Sequence, residues 1–133
     1  MVISNEKEDF RSARQIPAYR RALRLGKMVN KFTLKIYEAK QGGPEVDLFH
    51  RSASVIAAKI ASGHCLGYSE EFLEKNIRLC REALQACSEC ERLLREVLDQ
   101  RFTALDTLSL QETTRQVFEE ITAWVKDLES RLL

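Results

Sequence analysis

The longest regular pattern of apolar residues in this chain runs from Ser69 to Leu98. Its apolar and small residues recur every three or four positions in two adjacent rows, and Glu91 fills one slot of the first row. The rows are Leu73, Ile77, Cys80, Leu84, Cys87, Leu94 and Leu98, and then Leu79, Ala83, Ala86, Cys90, Leu93 and Val97. This spacing is typical of an α-helix, and two rows give a face wide enough for several neighbours. The pattern predicts a helix over 69–99, capped by Ser69, as the central rod of a bundle.

Three further helices are predicted, over 17–39, 45–62 and 109–132. Pro17 and Pro44 suit first turns, because a helix needs no backbone donor there. Gly63 is predicted to end the second helix before a turn over 64–68, and Ser109 with Glu112 to form a capping box. The residues expected in the core include Phe49, Ile56, Leu84, Phe118 and Trp124, with Gly26 and Tyr37 of the first helix and Leu132 of the last also facing inward. The pattern therefore predicts an all-α protein: an up-and-down, left-handed four-helix bundle over 17–133, preceded by a polar arm over 1–16 in which Asn5 could cap a short helix.

The surplus of apolar helix surface predicts self-association. Besides the two rows of the central helix, the first helix carries Leu25, Met28 and Leu34 outside its main core row. A single bundle would leave part of this surface in water, and apolar patches of that kind usually mark an interface. We therefore expect a homo-oligomer.

Composition narrows the class of protein. The chain has 133 residues with two prolines and five glycines, which favours long helices in one domain. The first ten residues are polar and charged, and no run approaches the ~20 apolar residues that a membrane span needs. Three of the four cysteines lie along one predicted helix, where a disulfide is hard to form. We expect a cytoplasmic protein with free thiols and no membrane contact.

The net charge of +1 is unevenly distributed. Eight basic residues and no acid lie between Arg11 and Tyr37. Five of them follow one another at helical spacing on one side of the first helix: Arg20, Arg24, Lys27, Lys31 and Lys35. Cations repeated every ~5–6 Å can follow a phosphate backbone and release counterions. These five residues are the predicted nucleic-acid-binding site, which Arg11 and Arg14 would extend; the alternatives are a solvated surface or a patch that docks on an acidic helix.

Part of the second helix resembles a known family. The run Arg51-Ser-Ala-Ser-Val-Ile-Ala-Ala-Lys-Ile-Ala-Ser-Gly63, followed by Tyr68-Ser-Glu-Glu-Phe72, is similar to the signature hairpin of the four-helix-bundle proteins encoded by 23S rRNA intervening sequences. That family reads R-A-A-x-S-I-x-x-N-I-A-E-G and then S-x-x-E-F. The resemblance implies a four-helix bundle assembled into a ring, typically a pentamer, with no enzymatic activity. It also implies kinship to accessory proteins of diversity-generating retroelements, which bind a reverse transcriptase and nucleic acid.

The cysteines and histidines offer weaker candidates for chemistry. Cys87 and Cys90 could share a metal ion, but a structural zinc site needs four ligands and the chain supplies no others at that level. Cys65 next to His64 is a candidate nucleophile without an orienting third group. A di-iron centre needs two Glu-x-x-His motifs that the sequence does not contain. We predict no catalytic residue, metal or cofactor.

Two classes of function therefore compete. The first is a non-enzymatic binding or adaptor protein that contacts RNA, DNA or a nucleic-acid-processing protein through the first helix. The second is a small thiol- or metal-dependent protein that uses Cys65 or the Cys87/Cys90 pair.

Overall fold

The computed structural model describes residues 12–102 and 107–132, and these are helical with no strand among them. The four long helices are α1 (Pro17–Glu38), α2 (Pro44–Leu66), α3 (Glu70–Leu93) and α4 (Leu108–Ser130). Helix α3 continues through a π-helical turn (Leu94–Leu98) into a last turn (Asp99–Arg101), and a 3-10 turn (Ala13–Gln15) precedes α1. The all-α class is confirmed.

The helices enclose one core. Each helix packs against the next in the chain, and α1 also packs against α4, while the backbones of the two diagonal pairs stay apart within the described residues. The largest fully buried side chains come from every helix and include Phe49, Leu25, Ile56, Leu93 and Ile121. Phe32 joins the helices at one end, because its ring meets those of Phe49 and Phe102 edge to face. In the part of the chain that the structure describes, no helix is long and apolar enough to cross a membrane.

The starts of α1 and α2 are as predicted, but the end of α2 is not. Pro17 and Pro44 lie in the first turns. Gly63 does not end α2: the helix continues to Leu66 and stops at Gly67, whose φ of +101° is accessible chiefly to glycine. Gly63 is buried inside the helix instead, against Asn76 of α3. The predicted turn at 64–68 was therefore too long, since His64, Cys65 and Leu66 are helical.

The helix caps differ from the prediction in two places. Ser69 is the N-cap residue of α3, but its side chain makes no capping hydrogen bond. Helix α4 begins at Leu108 after Thr107, so Ser109 lies inside the helix and the predicted capping box is wrong. Thr107 instead donates its hydroxyl hydrogen bond to Asp99 at 2.5 Å, which joins this start to the end of the preceding helix.

The burial predictions are partly confirmed. Phe49 and Ile56 are fully buried, whereas Leu84 and Trp124 are only half-buried against the core. The prediction for Phe118 was wrong: its side chain is 39% exposed, because the neighbouring Val117 occupies the core position and one residue turns a helix by ~100°.

The core row of α1 is also turned relative to the prediction. Leu25 is completely buried, so it does not belong to a surplus surface. Tyr37, placed in the core by the pattern, is 41% exposed and donates a hydrogen bond to Asp47 at 2.5 Å. Leu34 remains exposed, as predicted. Leu132 was also predicted to face inward and is 48% exposed.

The predicted N-terminal arm is joined to the bundle at its last residue. Ile16 is completely buried. Ser12 and Gln15 form a reciprocal capping box around the 3-10 turn that precedes it. The other features expected of the arm, a cap at Asn5 and the contribution of Arg11, lie outside the described residues.

Candidate nucleic-acid interface

The structure brings the five predicted site residues together on the outer side of α1. Arg20, Arg24, Lys27, Lys31 and Lys35 are all exposed, and we call this set the basic face. Neighbouring members are three or four residues apart, which places them ~5–6 Å from one another along the helix. The predicted row is therefore a continuous line of cations.

The apolar residues of α1 determine where this face points. Leu25, Val29, Phe32 and Ile36 are buried at spacings of three and four residues, which fixes one side of the helix against the core. The cations occupy the intervening positions on the opposite side. Rotating the row out of solvent would require the buried residues to leave the core, so the orientation is determined by packing.

The cations of the basic face have almost no partners among the described residues. No carboxylate oxygen of those residues lies within 4.0 Å of the charged nitrogens of this face. Arg20 donates a hydrogen bond to the backbone oxygen of Arg14 at 3.1 Å, and the Arg14 side chain is exposed. The extension of the basic face by Arg14 stays a prediction.

Many cations elsewhere in the bundle are neutralised by carboxylates. Lys59 of α2 meets Glu82 of α3 at 2.7 Å, and Arg101 meets Glu45 at 3.3 Å. On the surfaces of α3 and α4, Arg92, Arg95 and Arg115 each pair with acids of their own helix. The hydrogen bond from Arg115 holds the pKa of Glu112 below its usual value.

A cation directly beside the basic face does have a carboxylate partner. Arg21, beside Arg20, points towards α4, where it pairs with Glu120 at 3.6 Å and donates to Gln116 at 3.0 Å. It therefore fastens α1 to α4, whereas no residue of the basic face forms an ion pair with another helix among the described residues.

The thiols of α3 are packed as small apolar side chains. Cys80, Cys87 and Cys90 are completely buried, and burial raises the pKa of Cys80 and of Cys87 to about 12 and that of Cys90 further. The Cys87 thiol donates to the backbone oxygen of Thr114 at 3.4 Å. These groups remain protonated at neutral pH, which makes them poor nucleophiles and poor metal ligands. Within 12–102 and 107–132, no three His, Cys, Asp or Glu side chains are arranged to hold a metal ion.

Cys65 and His64 do not form a nucleophile and base. Cys65 is exposed near the end of α2. The His64 Nδ1 atom is hydrogen-bonded to the Tyr68 hydroxyl at 2.7 Å, and the two rings meet edge to face. The other histidine, His50, is hydrogen-bonded through Nε2 to the Asn30 side chain at 2.8 Å.

Comparison of the chain with protein-family models, with curated proteins and with solved structures finds no match in any of the three. The resemblance to the intervening-sequence family stays a prediction.

Sequence reasoning missed one feature beside the basic face. An open groove lies between α1 and α2, lined in part by Gly26, Lys27 and His50. The sequence places Gly26 on the inward row, but no other described residue fills the space that its missing side chain leaves. The only available signal is a glycine in the middle of a strongly helical segment, where alanine would be more stable.

Proposed function

We propose that this chain is a non-catalytic cytoplasmic binding protein whose basic face contacts nucleic acid, either directly or as part of a complex with a nucleic-acid-processing protein. The observation that carries the proposal is that the five cations of the basic face lie in one exposed row without a carboxylate partner among the described residues. The four cysteines are unpaired, which is typical of a reducing compartment.

The geometry favours contact with the phosphate backbone. A line of cations ~5–6 Å apart can meet successive phosphates, and each contact releases a condensed counterion. No aromatic side chain lies within the row itself, so the contacts it makes are electrostatic and independent of base sequence. Binding should therefore weaken steeply as salt is added.

We further propose that the bundle is up-and-down and left-handed. Contacts between α2 and α3 support opposite chain directions: Lys59 meets Glu82 near one end, and Cys90 lies 4.0 Å from the backbone oxygen of Phe49 towards the other. The pairs Arg81–Glu129 and Cys87–Thr114 support the same relation between α3 and α4.

Self-assembly is also part of the proposal. The exposed Leu34 and Phe118 support it, although the buried Leu25 no longer does. The pentameric ring rests on the family resemblance alone. A ring would place several basic faces on one particle and raise the avidity for a long nucleic acid.

The direct test is a titration of fluorescent RNA and DNA with the protein. A fivefold row of contacts predicts that the affinity falls about 100-fold between about 50 mM and about 200 mM salt. The triple variant Arg20→Glu, Arg24→Glu, Lys27→Glu should abolish binding, because it reverses the charge of the row without touching the core.

The matched control reverses the same number of charges on the paired surface. The variant Arg92→Glu, Arg95→Glu, Arg115→Glu makes an identical change in net charge and should retain most of the binding. Equal losses of affinity in the two variants would mean that only the net charge matters. Titrations that show no binding at any salt concentration would rule out direct contact with nucleic acid.

A further inference from the structure

The groove between α1 and α2 opens directly beside the basic face. It has a volume of about 210 Å³. Its lining includes the buried Ala22 of α1 and Ala53 of α2 and the half-buried Gly26 of α1. Lys27 belongs both to the lining of the groove and to the basic face. We call this cavity the side groove.

The space at Gly26 has no structural purpose within the described bundle. A Cβ atom built on Gly26 would find nothing within 4 Å. Glycine in the middle of a helix is destabilising relative to alanine. The same chain shows what a glycine required by packing looks like: a Cβ on Gly63 would lie 2.3 Å from the Asn76 side chain. Gly26 thus keeps a cavity open at the expense of helix stability.

The lining of the side groove also carries polar and charged side chains. Lys27 brings a cation to the rim, while Asn30 and His50 place polar groups at the lining. The Asn30 Oδ1 atom and the His50 Nε2 atom are 2.8 Å apart. With the proton on Nε2, the Asn30 amide nitrogen stays available as a donor and the His50 Nδ1 atom as an acceptor. One donor and one acceptor in the same lining can each meet a polar atom on the edge of a nucleobase.

We propose that the side groove takes one unpaired base of a single-stranded nucleic acid whose phosphates lie along the basic face. This inference rests on the proposed function and specifies its ligand. The apolar walls cover the faces of the ring, Lys27 holds the adjoining phosphate, and the polar pair meets the base edge. At about 210 Å³ the groove is smaller than the ~300–1,000 Å³ of typical drug-sized sites, which suits a single ring. A duplex cannot enter, because its bases are paired and stacked inside.

The experiment compares two labelled oligonucleotides that differ only in their bases. One is a fluorescein-labelled oligouridylate of about twelve nucleotides and the other is an abasic oligomer of the same length and charge. The unmodified protein should bind the oligouridylate about tenfold more tightly than the abasic oligomer, within the range that a sheltered base contributes. The variant Gly26→Leu fills the side groove, and it should bind both oligomers with the affinity that the unmodified protein has for the abasic one.

The matched control is Ala123→Leu, which adds a leucine to an exposed position of α4 and should leave both affinities unchanged. Urea unfolding of both variants verifies that they are folded. Competition with a glutamate-rich peptide tests whether the groove takes a protein partner. Light scattering measures the oligomer mass of each variant.

Each remaining result has one meaning. Equal affinity for the two oligomers, with no effect of Gly26→Leu, overturns the base site and leaves phosphate binding by the basic face intact. Absence of binding to either oligomer overturns the proposed function and the base site together. Competition by the glutamate-rich peptide that depends on Gly26, or a drop in the oligomer mass of Gly26→Leu, assigns the groove to a protein partner or to a second copy and also overturns the base site.

Discussion

The interface between α2 and α3 and the outer side of α1 differ in both packing and charge. Between α2 and α3 the packing is tight: Gly63 has no room for even a methyl group, and the thiols of Cys80, Cys87 and Cys90 on α3 are fully covered. On α1 the space beside Gly26 is open. Two glycines in two helices of similar length thus have different reasons to be there.

The surfaces of α3 and α1 also differ in how their cations are paired with carboxylates. Two cations of α3 pair with acids: Arg92 with Glu89 of the same helix at 2.6 Å, and Arg81 with Glu129 of the next helix. The cations of the basic face have no such partners among the described residues. Exposed ion pairs contribute little to stability, so the paired charges are not what holds the bundle together. What the difference teaches is that the α2–α3 interface is filled by its own side chains, while the outer side of α1 leaves both a charge and a cavity for something else.

The largest expected effect is a loss of stability at alkaline pH, which the buried thiols of α3 cause. Burial raises the pKa of Cys80 and Cys87 to about 12 in the folded protein, whereas an unfolded thiol ionises near ~8.5. Above the pKa of the unfolded thiol, the native state keeps protons that the unfolded state loses. Each buried thiol therefore stabilises the native state fully below that pKa, and its contribution falls as the pH rises towards the pKa of the folded thiol. The free energy of unfolding should drop by about 1 kcal/mol per pH unit for each thiol in this window.

Urea unfolding at about pH 8 and about pH 10 measures this drop. The variant Cys80→Ala, Cys87→Ala is the control, since it removes two of the titrating groups and should flatten the dependence. The same slope with and without the two thiols would contradict the burial of Cys80 and Cys87.

The next effect sharpens the contrast between the glycines. Gly63→Ala places a Cβ atom 2.3 Å from Asn76 Oδ1, and Asn76 cannot easily move because its amide donates to the backbone oxygen of Gly67 at 3.0 Å. The variant should lose about 1–3 kcal/mol of stability, the usual result of overpacking. Denaturation followed by circular dichroism gives the value, and a stabilised Gly63→Ala protein would show that α2 and α3 are not in close contact there.

The smallest effect has the opposite sign. Gly26→Ala adds a methyl group to open space and removes the flexibility of a mid-helix glycine, so it should raise the free energy of unfolding by about 0.5–1 kcal/mol. The same denaturation experiment compares it with Gly63→Ala. A destabilised Gly26→Ala protein would mean that the groove is filled, and the contrast between the two glycines would disappear.

Much of the fold follows from local features of the sequence. The period of the apolar residues predicts four helices, and the two prolines mark two of their starts. Gly63 was misassigned because the sequence alone does not distinguish a glycine that ends a helix from one that makes room for a neighbouring side chain. Here the neighbour, Asn76, belongs to another helix. Phe118 and Leu25 were misplaced because the pattern leaves the rotation of a helix uncertain by one position.

The candidate site divides in the same way. The basic face is predictable, because helical spacing alone puts Arg20, Arg24, Lys27, Lys31 and Lys35 on one side. Whether those cations are paired is not predictable, because ion pairs such as Arg21–Glu120 depend on which helices become neighbours. The side groove is beyond the sequence for the same reason, since α1 and α2 each supply only part of its lining.

The measurement that tests the central claim most directly is the salt dependence of oligonucleotide affinity as the basic face is neutralised one residue at a time. Lys31→Gln, then Lys27→Gln, then Arg24→Gln are added in turn, and the slope of log K against log salt is recorded for each. Every neutralisation should make the slope shallower by about 0.7, the value for one phosphate contact on a single strand. A slope that stays constant through all three variants would show that the basic face does not contact phosphates, and the account would be wrong.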